Sequence, residues 1–283
     1  MGSRGLLHIY RDQAAGVVQT VQPTQPADQS TTSAVIEVSS SNTAKSALPT
    51  CMGTTGDASL ASHCNTISLL TNTNGGFTTV SKISDPNVVL NEQFCPARTY
   101  AIAAGEELAS SVQGTNAAEI QSQCEAFGPV MKDYAVSLSL KRRDAVLRDV
   151  SSFILTTGIA PQQAAGTAKI CLSVGYRTDN MDVAIGSALL LSALGEQVYG
   201  ELMGHHLSQG FGATQRRDLA LEWYDQGLSA LEAGQPAVFA PGQPERVVLL
   251  RMATNALGGE GVAGTMNAPV QPVLALPTLT ITE

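Results

Sequence analysis

Two adjacent histidines, His205 and His206, are the side chains in this sequence best suited to metal or proton-transfer chemistry. Glu201 lies one helical turn before His205, so a helix would place this carboxylate and imidazole on one face. Such a pair could hold zinc weakly as a two-ligand site. Neighbouring residues of a helix point about 100° apart, so both histidines cannot easily bind one ion. We therefore predict one partly buried and one solvated histidine, and no metal.

Paired carboxylates at two places could serve acid–base catalysis. They are Glu106 with Glu107, and Asp179 with Asp182. We interpret both pairs as charges at helix starts, where the helix dipole favours acidic residues. The sequence contains no GxSxG, Walker or HExxH motif, and no GxGxxG motif after a strand. It therefore predicts a protein that is not an enzyme and that needs no cofactor.

The chain has five cysteines, an odd number with no CxxC pair. We predict two disulfides, Cys51 with Cys64 and Cys95 with Cys124, because short loops are favoured, and a buried free thiol at Cys171. Four cysteines allow three connectivities, so the pairing stays open. Disulfides would place the protein in an oxidising compartment. The alternative is five reduced thiols in a cytosolic chain.

Charge and composition exclude some partners. The 283 residues include 16 Lys plus Arg against 24 Asp plus Glu, a net charge of −8. Nucleic-acid binders usually carry a basic excess that releases phosphate counterions, so we predict no nucleic-acid partner. No apolar run reaches the roughly 18 residues that a transmembrane helix needs. Charged residues make up only 14% of the chain, a composition common in bacterial envelope and secreted proteins, although no signal peptide is visible.

The N-terminal part of the chain divides into two sections. Residues 1–46 are low in complexity and bury too little apolar surface to offset the entropy of ordering, so we predict a flexible arm. Residues 47–96 contain cysteines and two β-type runs, Thr66–Thr71 and Phe77–Ile83, on either side of an Asn-Gly-Gly sequence. This pattern predicts a β-hairpin that lies on a helical neighbour.

Residues 97–257 have a helical pattern throughout. Pro96 and Pro129 are predicted to open helices, and Asn116 with Glu119 fits a capping box. Further helices are predicted over residues 144–155, 161–174 (ended by Gly175), 182–194 and, as a C-terminal cap, 244–257. The short Gly and Pro connectors favour a mostly α fold of antiparallel helix pairs. Residues 258–283 are rich in Gly and Pro and are predicted to form an extended arm.

One stretch carries a recognisable repeat pattern, with the sequence LMGHHLSQGFGA followed by RDLALEWY. It resembles the Sel-like repeat family, a relative of the tetratricopeptide repeats, whose pattern is LG-xx-Y-xx-G-x-GV and then A-xx-WY. The positions that match in register are Gly204, Leu207, Gly210, Gly212, Ala213, Ala220, Trp223 and Tyr224. The resemblance covers residues 164–234, because a weaker unit without the GxG and WY positions precedes the first. It implies an antiparallel helix-pair solenoid.

Each matched position has a physical role in such a helix pair. Small Gly204 would let the two helices approach, with Ala220 opposite it. Gly210 and Gly212 would supply the positive φ angles of the turn. Trp223 would pack against the next repeat together with Tyr224. We therefore interpret the single tryptophan as a packing residue and not as a ligand platform.

The resemblance implies a non-enzymatic scaffold or adaptor that docks protein partners. Bacterial members of the family work in the cell envelope, for example in exopolysaccharide signalling or in the flagellar motor, so we predict a periplasmic or envelope-associated part of a larger assembly. Two alternatives stay open. One is an enzyme that acts on the cell wall or on β-lactams, although the disulfide typical of those family members is missing from this repeat. The other is a periplasmic module that binds peptides or glycans.

Overall fold

The computed structural model of the protein describes residues 59–266, and their side chains as far as residue 259. This part of the chain folds into nine α-helices and contains no β-strand, which confirms the predicted mostly helical class. The helices are α1 (Leu60–Thr73), α2 (Pro86–Ser110), α3 (Ala117–Leu138), α4 (Arg143–Thr157), α5 (Pro161–Arg177), α6 (Met181–Ala193), α7 (Gly200–Gln209), α8 (Arg217–Glu232) and α9 (Glu245–Met266). Short 3-10 turns at Val80–Lys82 and Gln197–Tyr199 precede α2 and α7.

The predicted arms lie wholly or largely outside the described residues. The arm over residues 1–46 falls outside them completely. The C-terminal arm is predicted to begin at residue 258. Its first nine residues are instead the end of α9, because this helix continues to Met266. The predicted C-terminal helix over residues 244–257 is therefore present but longer than expected.

The predicted β-hairpin is wrong, because its first run lies inside α1. Ser59 caps the start of this helix with its side chain. At the other end, Gly76 donates its backbone N–H to the Thr71 carbonyl, and Gly75 and Gly76 both have positive φ angles. The Asn-Gly-Gly sequence thus ends a helix, a function that glycines perform as readily as a hairpin turn. The second run, Phe77–Ile83, contains only the first 3-10 turn.

The prediction that Pro96 opens a helix is also wrong. The helix begins earlier, at Pro86, where the Asp85 side chain accepts a hydrogen bond from the Asn87 amide at 2.8 Å. Pro96 lies inside α2, and Pro129 likewise lies inside α3. A proline removes one internal hydrogen bond, and these long helices continue on both sides of it. The predicted boundary between the cysteine-bearing section and the helical domain therefore falls within α2.

Several helix ends agree with the prediction. Asn116 and Glu119 form a complete capping box at the start of α3. Gly158 ends α4 in the left-handed conformation with a φ of 66°, and Pro161 opens α5. Each of these signals acts within a few residues of itself, which is why the sequence alone is sufficient to place them.

Helix α2 is at the centre of the packing. It contacts α1, α5, α7 and α9, while α5 packs closely on α6 and α7 on α8. One continuous apolar core includes residues from all these helices. In a linear solenoid each repeat contacts only its neighbours, whereas here α2 and α9 meet across most of the described chain. The solenoid order of the helix pairs therefore stays a prediction. Within residues 59–266, every helix is too short or too polar to cross a bilayer.

Gly175 lies inside α5 and does not end the helix as the sequence predicts, because α5 continues to Arg177. It faces the backbone of α6. A Cβ atom added to Gly175 would lie 2.5 Å from the backbone nitrogen of Ala184. The absence of a side chain therefore lets α5 and α6 pack backbone to backbone, which ordinary side chains would prevent.

We expect Gly175→Ala to destabilise the protein by about 1–3 kcal/mol, because the added methyl group would push two helix backbones apart. The matched control is Gly166→Ala in the same helix, where an added Cβ meets no atom within 4 Å. There the better helix propensity of alanine should stabilise by about 0.5–1 kcal/mol. Urea unfolding followed by circular dichroism measures both, and effects of the same sign would contradict the close approach.

Two disulfides cross-link the helices. Cys64 of α1 pairs with Cys95 of α2, and Cys124 of α3 pairs with Cys171 of α5, with Cα–Cα distances of 5.4 and 5.1 Å. The presence of disulfides agrees with the prediction, but the predicted pairs and the free thiol at Cys171 are wrong. Cys51 lies outside the described residues. Helix packing, which brings the Cα atoms into range, decides the pairing, and short loops do not.

Removal of either disulfide should lower the stability by about 2–4 kcal/mol, because each cross-link restricts the unfolded chain. The sequence separations are 31 and 47 residues, so the pair Cys124→Ala/Cys171→Ala should cost slightly more than Cys64→Ala/Cys95→Ala. Thermal unfolding with and without reductant measures this. A variant without all four cysteines should be insensitive to the reductant. Peptide mapping that finds Cys171 unpaired would contradict the assignment.

Candidate functional site

Helices α7 and α8 contain most of the residues that the repeat pattern singles out. Gly204 of α7 packs on the ring of Tyr224 of α8, and a Cβ atom at Gly204 would lie 2.7 Å from the ring carbons. The sequence predicts Ala220 in that position, so the partner is corrected. Tyr224 lies one helical turn beyond Ala220 on the same face and presents a flat ring to the glycine.

The other matched residues lie in the same pair or in its connection. Leu207, Ala220 and Trp223 are fully buried. Gly210 and Gly212, between α7 and α8, have φ angles of 81° and 66°, which let the chain turn from one helix to the other. These positions are compatible with a helix-pair repeat, and the repeat itself stays a prediction.

A buried ion pair joins α7 to α9. Glu201 is fully buried and Arg246 is 5% exposed. The guanidinium group donates to both carboxylate oxygens, from Nη1 at 3.0 Å and from Nη2. Arg246 Nε donates to the side-chain oxygen of Gln93 on α2 at 2.8 Å. Burial alone would raise the pKa of Glu201, but Arg246 and a hydrogen bond from His205 lower it to about 2, so the carboxylate stays ionised.

His205 extends this network towards α8. Its Nε2 lies 3.3 Å from Glu201 Oε1, and its Nδ1 lies 2.8 Å from the Tyr224 hydroxyl oxygen. Because the ionised carboxylate only accepts, Nε2–H donates to Glu201 and Nδ1 accepts the Tyr224 O–H. The Tyr224 oxygen also lies 2.9 Å from the Ser208 hydroxyl. The Phe94 ring stacks on the imidazole at 4.9 Å between centroids, which fixes the plane of the ring.

His206 forms a second, neighbouring set of contacts. Its Nδ1–H donates to the Phe211 carbonyl at 2.7 Å, and its Nε2 accepts the Tyr176 O–H at 2.9 Å. The carbonyl can only accept, which fixes this tautomer for the neutral ring. Burial lowers the pKa of His206 to about 4. The imidazole is therefore neutral at pH 7 and serves as a bridge between α5 and the α7–α8 connection.

The structure corrects the prediction for the two histidines, because both are fully buried and neither is solvated. Both nitrogens of each ring are engaged within the protein, and Glu201 is held by Arg246. Within the described residues no group of three or more His, Cys, Asp or Glu side chains is placed to hold a metal ion. The two sets of contacts thus join α2, α5, α7, α8 and α9 and leave no ring nitrogen of either histidine free for a ligand.

Sequence reasoning missed the partners that make this network. Arg246 and Gln93 lie 45 and more than 100 residues from Glu201 along the chain, and no local pattern connects them. One signal was available. Glu201, His205 and Ser208 follow at helical spacing, so three polar side chains share one face of α7.

We expect the stability to fall as the pH is lowered from 6.5 to 4, in part because of His206. The unfolded histidine binds a proton near its ordinary pKa of 6.5, whereas the folded one does so only near 4. The unfolded state therefore binds more protons in this window, and stability is lost by about 2–4 kcal/mol as the pH falls through it. His206→Asn, which keeps a donor for Phe211, should reduce the slope. Urea unfolding at pH 4–7.5 measures the free energy of unfolding of both proteins. Equal pH dependence in the wild type and in His206→Asn would contradict the assignment to His206.

An open cleft lies beside the connection between α7 and α8, and we call it the α3–α6 cleft. Its volume is about 530 Å³, and it is lined by the end of α3, the start of α6 and the α7–α8 connection. Val136 and Leu140 at its rim are 51% and 71% exposed. Asp179 and Asp182 also line it. Asp182 forms no ion pair with another described residue, whereas Asp179 accepts the Ala61 backbone N–H at 3.3 Å and lies in the field of Arg98. The cleft thus combines exposed apolar groups with two carboxylates, of which Asp182 has no cation beside it.

Several basic side chains near the starts of α4 and α8 lie in ion pairs. Lys141 lies 2.7 Å from Asp149, Arg142 lies 2.8 Å from Glu222, and Arg216 contacts Asp218. The paired carboxylates Glu106 and Glu107 lie near the end of α2, not at a helix start. These groups are charges on the surface of the helices and form no compact site.

The fold and the site define an all-α protein whose described part has two disulfides and a sealed polar network beside an open cleft. Comparison of the chain with family models, curated proteins and solved structures finds no match.

Proposed function

We propose that the protein is a non-enzymatic scaffold of the bacterial cell envelope, which holds a segment of another protein in the α3–α6 cleft as part of a larger assembly. The observation that supports this most directly is the exposure of Val136 and Leu140, at 51% and 71%, beside acidic groups in one open cleft. Exposed apolar side chains grouped around a concavity are typical of protein interaction sites.

The charge of the cleft favours a partner segment with a basic side chain between apolar ones. Asp179 and Asp182 supply negative charge at its wall, and the whole chain has a net charge of −8. A Lys or Arg of the partner would meet these carboxylates while its neighbours cover Val136 and Leu140. Such charge complementarity increases the rate and the specificity of association.

The disulfides and the helix pairs support the other parts of the proposal. Two cross-links between helices favour an oxidising compartment such as the periplasm. The close approach of α7 and α8 at Gly204 is compatible with a Sel-like helix pair, although its partner there is Tyr224, and we retain that family as part of the proposal. The sealed network speaks against the enzyme alternative, because His205 and Glu201 are fully buried and a substrate cannot reach them.

The test begins with a photo-crosslink in the native host. Leu140→p-benzoylphenylalanine should capture one protein, and the same replacement at Leu155, which is 83% exposed on α4, should not. The captured segment is then synthesised and titrated calorimetrically against the purified chain. Asp182→Asn and Val136→Asp should each weaken binding about tenfold or more, at a cost of roughly 1.4 kcal/mol, and added salt should weaken it further.

Two results would contradict the proposal. One is equal capture at Leu140 and Leu155, which indicates general stickiness. The other is a partner segment whose affinity is unchanged by Asp182→Asn and Val136→Asp. If cell-wall fragments raise the melting temperature and no protein is captured, the glycan-binding alternative replaces the scaffold.

A further inference from the structure

A second concave surface lies between the end of α8 and the first half of α9, and we call it the α8–α9 groove. Its volume is about 450 Å³. Leu231, Pro244, Val247, Val248 and Met252 line it. Val248 and Met252 are 52% and 43% exposed, so the groove presents apolar groups on a different surface from the α3–α6 cleft.

The groove carries little net charge. Its one cation, Arg251, donates from Nη1 to Asp225 at 2.9 Å and from Nε and Nη2 to Glu232 at 3.0 and 2.9 Å. These two carboxylates compensate the guanidinium. A polar or charged ligand would therefore gain little here, whereas an uncharged apolar chain would bury its side chains without having to desolvate a free charge.

We infer that the occupant is the C-terminal segment of the same chain, Val273–Leu279, bound in an extended conformation. Residues 267–282 contain no charged side chain, and residues 273–279 have the sequence VLALPTL. Pro269, Pro272 and Pro277 disfavour a helix in this segment. Its chemistry matches the groove, since the segment is apolar and uncharged and the charges that line the groove, Arg251 and Glu232, are paired with each other.

The length of the chain suits this arrangement. From Met266 at the end of α9 back to Met252, the distance along the helix axis is about 21 Å at 1.5 Å per residue. Residues 267–273 span about 23 Å when extended, so Val273 reaches the level of Met252 and the following leucines reach Val248. The return path is open, because Asn255 and Gly259 are exposed and a Cβ atom at Gly259 would meet nothing within 4 Å.

The test uses the full chain with Met252→p-benzoylphenylalanine, followed by mass spectrometry of the photo-crosslinked peptides. We expect a crosslink within one molecule to residues 270–282. Leu276→Asp/Leu279→Asp, which alters only the segment, should abolish this crosslink and should increase the fluorescence of a hydrophobic dye bound to the protein. A benzophenone at Leu155 on α4 serves as the control and should give no crosslink to the segment.

Mixing isotope-labelled with unlabelled protein separates the two ways of forming the crosslink. A crosslink only between labelled and unlabelled chains would overturn the inference, since the segment would then bind a second copy. Absence of any crosslink from Met252 to residues 270–282, or an equal yield from Leu155, would also overturn it. These results do not depend on partner binding in the α3–α6 cleft, so the two proposals fail independently.

Discussion

Replacement of Arg246 by methionine should lower the free energy of unfolding by about 3–5 kcal/mol at pH 7, because it leaves a buried carboxylate without its cation. Glu201 is fully buried, and its only other charged or hydrogen-bonding partner in the network is His205. The methionine fills much of the space of the arginine stem, so the loss measures the electrostatic effect more than a cavity. Urea unfolding followed by circular dichroism is the measurement, since urea adds no charge that would screen the pair.

A matched control lies on the same helix. Arg251 of α9 also binds two carboxylates, Asp225 and Glu232, but its side chain is 25% exposed and those of its partners are 65% and 49% exposed. Water screens such a pair, so Arg251→Met should cost only about 0–1 kcal/mol. Equal costs at Arg246 and Arg251 would show that the burial of the first pair has no energetic consequence and would contradict the network.

The pH dependence gives the Arg246→Met variant a signature that lost packing would not have. In the wild type the pKa of Glu201 lies below its ordinary 4.5, so the pair stabilises the fold above that value and the stabilisation is lost as the pH falls towards 2. In the variant, burial raises this pKa and only His205 still opposes it. The folded variant then gains stability by protonation of Glu201, and the difference from the wild type should shrink as the pH falls through 4.5. A difference that is constant with pH would indicate a cavity effect only.

Local signals in the sequence predict the helical class and several helix ends. The capping box of Asn116 and Glu119 and the Gly158 stop each act within one turn, and both are found. A local signal gives a wrong prediction where two different local structures use the same residues. Gly75 and Gly76 suit a hairpin turn as well as a helix end, and only the packing of α1 on α2 decides between them.

Contacts distant in sequence could not be predicted. Cys124 and Cys171 are brought together by the packing of α3 and α5, so a preference for short loops gives the wrong pairs. The burial of His205 beside Glu201 likewise depends on Arg246 of α9, because this arginine neutralises the Glu201 carboxylate. A sequence pattern can show that polar residues share one face of a helix. It cannot show which distant residue pairs with them, because the tertiary fold determines that.

Truncation of Trp223 to alanine should cost about 3–5 kcal/mol, because it removes a large side chain from a packed core and leaves a cavity. The indole is fully buried, and its Nε1–H has no hydrogen-bond partner within the described residues. Trp223 is the one tryptophan of the chain, so the unfolding of the variant must be followed by circular dichroism and not by intrinsic fluorescence.

Trp223→Phe separates packing from hydrogen bonding. A phenylalanine keeps much of the apolar surface and removes an N–H group whose unpaired burial is itself costly, so we expect a loss below about 1.5 kcal/mol. If Trp223 were instead a binding surface for a ligand, its indole would contribute little to the core. Trp223→Ala and Trp223→Phe would then both have the stability of the wild type. A large cost for alanine and a small one for phenylalanine therefore assigns Trp223 to the packing of α8, as the helix-pair interpretation requires.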